Sequence, residues 1–179
     1  MKKIIIGSLI LMGAMIWIFP LSAQAADAEK ERPNKISIGL GVPYGILGGN
    51  LEIEKNHLAI SGGLGYDLAG LDWAVGARAY LNEPDEAFRL RASCFYGVVA
   101  LAEKKKDAYS ESTYEDYSGL APSLGFEWRF GKNVSLEFDL LYAIFDEEEI
   151  KTELKREGYT MTEDFGSPIR ISFGLAKRW

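Results

Sequence analysis

Charged side chains recur at alternate positions along this 179-residue chain. Glu52, Glu54, Asp72, Glu127, Glu137 and Asp139 supply carboxylates, while Arg78, Arg89, Arg91, Arg129 and Arg170 supply guanidinium groups. Two chemistries use such a set. Charges lining an open passage can serve a gated pore or a substrate site. Matched opposite charges can instead neutralise one another in a confined space, where an unpaired ion is costly. The dominance of Arg over Lys favours the second, because its planar fork pairs with a carboxylate through two parallel hydrogen bonds. Companions for catalysis are sparse. His57 is the sole histidine and sits beside the Lys55-Asn56 turn, where a solvated imidazole is expected. Cys94 is the sole cysteine, so an intrachain disulfide is impossible. No metal-ligand cluster, phosphate-cradling glycine loop or Gly-x-Ser-x-Gly elbow occurs. The residues therefore predict a salt-bridge network of Glu52, Arg78, Arg89, Arg91, Glu127, Arg129, Glu137, Asp139 and Arg170. They predict no enzyme, no cofactor and no metal site.

Such a network needs elements that aim these side chains at one another. Apolar residues alternate with polar or small ones in eight stretches, the signature of strands with two unlike faces. The expected strands run over about 35–42, 47–54, 57–68, 71–81, 87–102, 118–130, 134–145 and from 169 to the end. Pro43-Tyr44-Gly45, Lys55-Asn56, Ala69-Gly70, 82–86 and 131–133 read as turns. The connections over 103–117 and 146–167 are long and charged. The last strand sets Ile169, Ile171, Phe173, Leu175 and Trp179 against Arg170, Ser172, Gly174, Ala176 and Arg178.

The chemistry of the second face decides which face points where. It mixes glycine (Gly39, Gly41, Gly63, Gly65, Gly76, Gly97, Gly125, Gly174) with Arg and acids. Glycine on a solvated strand weakens it without evident use, whereas inside a narrow eight-stranded barrel it relieves crowding. An apolar face turned to lipid and a polar face turned to a filled lumen is the expected arrangement. The alternative is a soluble periplasmic barrel whose apolar face lines a ligand cavity. Aromatic placement agrees with lipid outside: Phe88, Trp128, Phe130 and Trp179 fall near one interface, and Tyr66, Trp73 and Tyr142 near the other.

Residues 1–25 read as a cleaved secretory signal peptide. Lys2-Lys3 precedes the apolar run Ile4 to Phe19, and Ala23-Gln24-Ala25 supplies a small-x-small cleavage pattern. Residues 26–34 then form a polar leader and 35–179 the barrel domain. The net charge of −6 becomes −8 once Lys2 and Lys3 are removed, which argues against nucleic acid as a partner.

Signal, eight strands, long loops at one end and a terminal aromatic together resemble the small outer-membrane barrels of Gram-negative bacteria, the OmpA transmembrane domain and OmpX. The resemblance covers the whole mature chain, but it is one of architecture rather than of a motif. It implies an all-β, eight-stranded antiparallel up-and-down transmembrane barrel in the cell outer membrane, contacting lipid and lipopolysaccharide. It also implies that Phe173, Leu175 and Trp179 form an assembly signal for the barrel assembly machinery, though phenylalanine is the more usual last residue. No periplasmic domain is expected after the last strand. Small barrels that modify lipid A use a histidine and a serine near the outer leaflet, whereas His57 falls at the opposite end. Specificity then rests with the outer loops. Lys104, Lys105 and Lys106 are candidates for lipopolysaccharide phosphates, and Tyr109, Tyr114 and Tyr117 for a surface partner. Residues 147–165 are expected to be a mobile loop or a protruding hairpin tipped at Glu157-Gly158. The function expected is non-catalytic, in envelope structure or surface interaction, with a small gated channel as the alternative.

Overall fold

The computed structural model describes residues 34–179 except 85, 107–110, 131–132 and 162–166. The expected signal peptide, most of the leader and Tyr109 lie outside the described residues. Asn34, expected in the leader, opens the first strand instead, and its carbonyl accepts from the Trp179 amide at 3.1 Å.

Eight strands close on themselves. They are β1 (Asn34–Leu40), β2 (Leu47–Lys55), β3 (Leu58–Tyr66), β4 (Leu71–Tyr80), β5 (Phe88–Lys105), β6 (Thr113–Arg129), β7 (Val134–Tyr142) and, last in the chain, β9 (Ile169–Arg178). Between β7 and β9 lie a helix, α1 (Glu147–Arg156), and a two-residue strand, β8 (Thr160–Met161). Neighbouring strands run β4-β3-β2-β1-β9-β7-β6-β5, and the antiparallel β4–β5 pairing seals the ring. Closure removes every strand edge at the level of the barrel, the condition for strands to cross a bilayer with their backbone groups satisfied.

Because side chains alternate across a strand, the register fixes two faces. Outside lie Leu124 at 69% and Ile171 at 62% relative exposure, with Leu64, Leu71, Tyr66 and Phe173 also exposed. Inside lie Lys35, Glu52, Arg78, Arg89, Arg91, Glu127, Glu137 and Asp139, all buried. The expected orientation is therefore the observed one, and among the described residues the apolar face lines the outside of the barrel rather than its interior. Outward aromatics cluster at two levels. Phe88, Phe126 and Phe138 stack at centroid distances of 5.2 and 5.5 Å, and Trp128 meets Phe130 at 6.2 Å. Trp73 meets Tyr96 edge-on at 5.9 Å, nearer the long-loop end.

The long-loop end departs from expectation in three ways. First, β5 and β6 continue well past the other strands, through much of the stretch expected as a polar loop. A bulge between Val98 and Ala100 shifts the register and lets the hairpin carry on to Lys104↔Thr113. Second, 147–156 is neither hairpin nor loose loop but a helix. Asp146 caps it by accepting from the Glu149 amide at 3.0 Å. Glu147, Glu148 and Glu149 occupy its first turn and Lys155 and Arg156 its last, in the sense the helix dipole favours. Ile150 and Leu154, one turn apart, bury themselves against Ala100 and Ala102, with Tyr117, Phe145 and Tyr159 around them. Gly158, at φ +80°, follows the helix end rather than a hairpin tip. Third, the chain returning from α1 adds β8 to the top of β5.

Candidate functional site

The lumen is filled in three tiers, counted from the short-turn end. In the lowest, Arg89 donates to both oxygens of Glu54 at 2.7 and 3.1 Å, and Arg178 links Glu54 at 2.8 Å to Glu127 at 2.8 and 3.1 Å. The Arg89 guanidinium also lies 3.9 Å from the centre of the Tyr80 ring. In the middle tier Lys35 bridges Glu52 at 2.9 Å and Glu137, with Glu127 at 3.5 Å. Arg78 pairs with Glu52, whose other oxygen accepts from the Tyr80 hydroxyl at 2.6 Å. Arg91 forks onto Asp139 at 2.6 and 3.0 Å and reaches Glu137 at 2.9 Å. In the upper tier the Tyr44 hydroxyl lies 2.8 Å from Ser37 and donates to Glu137 at 2.8 Å. Val42 of the same turn joins an apolar cluster with Ala74, Phe95, Val99, Ala121, Leu141 and Ala143.

Across the two lower tiers five buried cations, Lys35, Arg78, Arg89, Arg91 and Arg178, meet five buried carboxylates, Glu52, Glu54, Glu127, Glu137 and Asp139. Matching of number and fork geometry offsets the large cost of removing ions from water. Most of these contacts join distant strands across the lumen, so they brace the barrel as well as fill it.

The structure brings together Glu52, Arg78, Arg89, Arg91, Glu127, Glu137 and Asp139. Arg129 stands at the edge of the group, half-buried, with Nε 3.4 Å from Glu127 and a bond from Nη1 to the Pro84 carbonyl. Arg170 does not belong to the network. It has the inward parity of its strand, but it lies at the outer rim with its guanidinium on the Ser167 carbonyl, because β9 ends its barrel pairing there. The network read from the sequence left out Lys35, Tyr44, Glu54, Tyr80 and Arg178. The parity of Arg178 was a signal for it. Lys35 shares the inward parity of Ser37 on the same strand, and Tyr44 lies in a turn, where no parity exists.

Among the outer-loop candidates, Lys104 is already engaged, 2.6 Å from Glu115 and 4.4 Å from the centre of the Tyr159 ring. Lys105 lies 3.9 Å from Glu103, and Lys106 is exposed. Tyr114 is exposed, whereas Tyr117 packs against α1 and donates to Glu115 at 3.0 Å. Burial and the neighbouring Glu115 and Glu153 carboxylates raise the Tyr117 phenol well above its ordinary range. Burial first, and then the Asp67 carboxylate, push Asp116 up to about 7. At the opposite end His57 lies 3.9 Å from Glu83, both exposed. Phe173, Leu175 and Trp179 lie exposed on the outer face of β9 or at its end. Among the described residues no group of His, Cys, Asp and Glu is arranged to hold a metal ion, and Cys94 is exposed on the outer wall.

No protein-family model and no curated protein matches the chain. Solved structures do. The N-terminal β-barrel domain of Pseudomonas aeruginosa OprF superposes with a TM-score of 0.51 at 14% identity, covering 82% of this chain and 98% of that one. Ail, the attachment invasion locus protein of Yersinia pestis, solved with the heparin analogue sucrose octasulfate, gives a TM-score of 0.42 at 15% identity and covers 82% and 97%. At these identities the likeness concerns the fold, and the fold of this chain is that of the small eight-stranded outer-membrane barrels.

Proposed function

We propose that this protein is a non-catalytic outer-membrane barrel, exported by its N-terminal signal, that braces the envelope and meets its surroundings through its outer loops. One observation carries the reading: the polarity of a soluble domain is inverted, with the largest apolar side chains outside and the ions sealed within. Such a surface is stable in acyl chains and prone to aggregate in water. The ends follow from the loops. The short turns face the periplasm, and α1 with the long β5–β6 hairpin faces outward, among the headgroups of lipopolysaccharide. Lys105 and Lys106 are the basic side chains placed to meet phosphates there, with Lys104 committed to Glu115. The exposed β9 face bearing Phe173 and Leu175, with Trp179 after it, is the segment offered to the barrel assembly machinery.

Membrane fractionation with boiled and unboiled gel migration tests the location. The expected result is an outer-membrane band that shifts on heating, and a soluble periplasmic band without a shift would refute it. Planar-bilayer recording tests the closed lumen. Three filled tiers predict negligible current in wild type, and sustained current altered by Glu137→Gln would identify a channel instead.

A further inference from the structure

The β1–β2 connection, residues 41–46, does not project from the barrel as connections usually do. It folds inward, and Tyr44 at its tip is only 1% exposed. Gly41 and Gly45, at φ +78° and +67°, permit the inward fold, and the Gly41 amide donates to the Gly45 carbonyl at 2.6 Å. The seat is built for it. A Cβ on Gly39 would lie 2.9 Å from Cδ2 of the Tyr44 ring, and one on Gly174 would lie 2.7 Å from its hydroxyl oxygen. A Cβ on Gly63 would meet the Pro43 ring at 2.8 Å, while Gly48 and Gly65 make room for the Tyr44 carbonyl. Five glycines on four adjacent strands, β9, β1, β2 and β3, thus shape one notch around one turn. Tyr44 carries the only polar side chain of the turn, and its hydroxyl reads Ser37 and Glu137 at the top of the ion cluster. Val42 fills the neighbouring apolar tier.

We propose that this turn is an intramolecular plug, a tyrosine-tipped strap hinged at Gly41 and Gly45, whose unseating opens the upper lumen and the Ser37–Glu137 pair to the outer medium. The notch left behind has the chemistry to take a para-substituted phenol: a flat glycine floor for the ring and a hydroxyl–carboxylate pair for its OH. The proposal rests on the membrane-barrel reading above only for which side is outer.

The test places a reporter under the ring, Ser37→Cys, in a Cys94→Ser background, with the barrel reconstituted in phosphatidylcholine vesicles. The rate of modification by a membrane-impermeant cationic methanethiosulfonate is read by mass. With Tyr44 present the thiol is protected. Tyr44→Gly, and separately Gly174→Ala, speed modification by about tenfold or more, since ring packing and the hydroxyl's bond to the Glu137 carboxylate are lost. Tyr44→Phe falls between, and Gly62→Ala, whose Cβ meets only Val75 at 3.9 Å, leaves the rate unchanged. Added p-cresol slows modification of the Tyr44→Gly protein and not of the protein with Tyr44. Equal rates with and without the tyrosine, or a thiol that reacts freely beneath an intact turn, would overturn the plug. The heat-shifted gel band, followed for every variant, reports on the barrel itself. Its persistence alongside equal rates would sink this proposal and leave the membrane-barrel reading standing. Should Tyr44→Gly lose that band, Gly174→Ala and Tyr44→Phe decide the matter.

Discussion

Replacing Glu137 by glutamine removes one negative charge from the densest part of the lumen while keeping the shape of the side chain. In the native barrel its carboxylate meets Lys35, Arg91 at 2.9 Å and the Tyr44 hydroxyl at 2.8 Å, with Arg78 at 3.8 Å. None of these partners is left wholly bare by the change. Lys35 retains Glu52 at 2.9 Å and Glu127 at 3.5 Å, and Arg91 retains both oxygens of Asp139. Breaking a buried pair by removing one member costs about 3–5 kcal/mol, and the retained contacts place Glu137→Gln near the lower end, about 3 kcal/mol. The assay is reversible urea unfolding in phospholipid vesicles, followed by tryptophan fluorescence. Glu115→Gln serves as comparison. Its pair with Lys104 at 2.6 Å lies in the outer extension, where solvent screening limits the loss to about 1 kcal/mol. A Glu137→Gln loss no larger than that of Glu115→Gln would refute the view that the lumen charges work as a desolvated, mutually dependent set.

Three further outcomes are expected. Leu124→Arg, on the outer wall of β6, should destabilise the barrel in lipid by about 2–4 kcal/mol, read by the same unfolding assay, if that wall faces acyl chains near the bilayer centre. Asp146→Ala removes the cap of α1 and should cost the helix about 1 kcal/mol, seen as faster amide exchange at Ile150 and Leu154 with no change in β7. Asp116 ties the outer extension to pH. Its folded pKa, about 7, lies above the unfolded value, so the native state holds the proton more tightly and stability falls as pH rises from about 4 to 7. Amide exchange at Leu101 and Ala102, opposite Asp116 and Glu115, should therefore be slower at pH 5.5 than at pH 8, and Asp116→Asn should flatten the difference.

The barrel was legible in the sequence because its two faces differ in kind. A strand such as β9, with Ile171 and Phe173 on one side and Ser172 and Gly174 on the other, fixes both its period and its orientation. The ion-pair members in mid-strand were legible for the same reason. What parity cannot reach is the end of a strand and the path of a turn, and there the reading fell short. Arg170 has inward parity but lies at the outer rim, with its guanidinium on the Ser167 carbonyl. Tyr44 belongs to a turn that points back into the barrel, into a notch shaped by glycines on four strands, two of them distant from the turn in sequence or across a hairpin. The helix at 147–156 hid within a charged stretch with two buried positions, Ile150 and Leu154, too few to mark a helical period. The apolar cluster around Phe95 and Val99 breaks the polar-inside rule.

Which face of each strand touches lipid can be read with paired spin labels. Labels placed in turn at Leu124, Ser123, Ile171 and Ser172 of the reconstituted protein are read for collision with dissolved oxygen, which concentrates in acyl chains, and with a water-soluble nickel chelate. High oxygen and low nickel accessibility is expected at Leu124 and Ile171, and low accessibility to both reagents at Ser123 and Ser172, inside the packed lumen. Labels at Leu124 and Ile171 that meet the nickel chelate freely, or are shielded from both reagents, would contradict a lipid-facing outer wall.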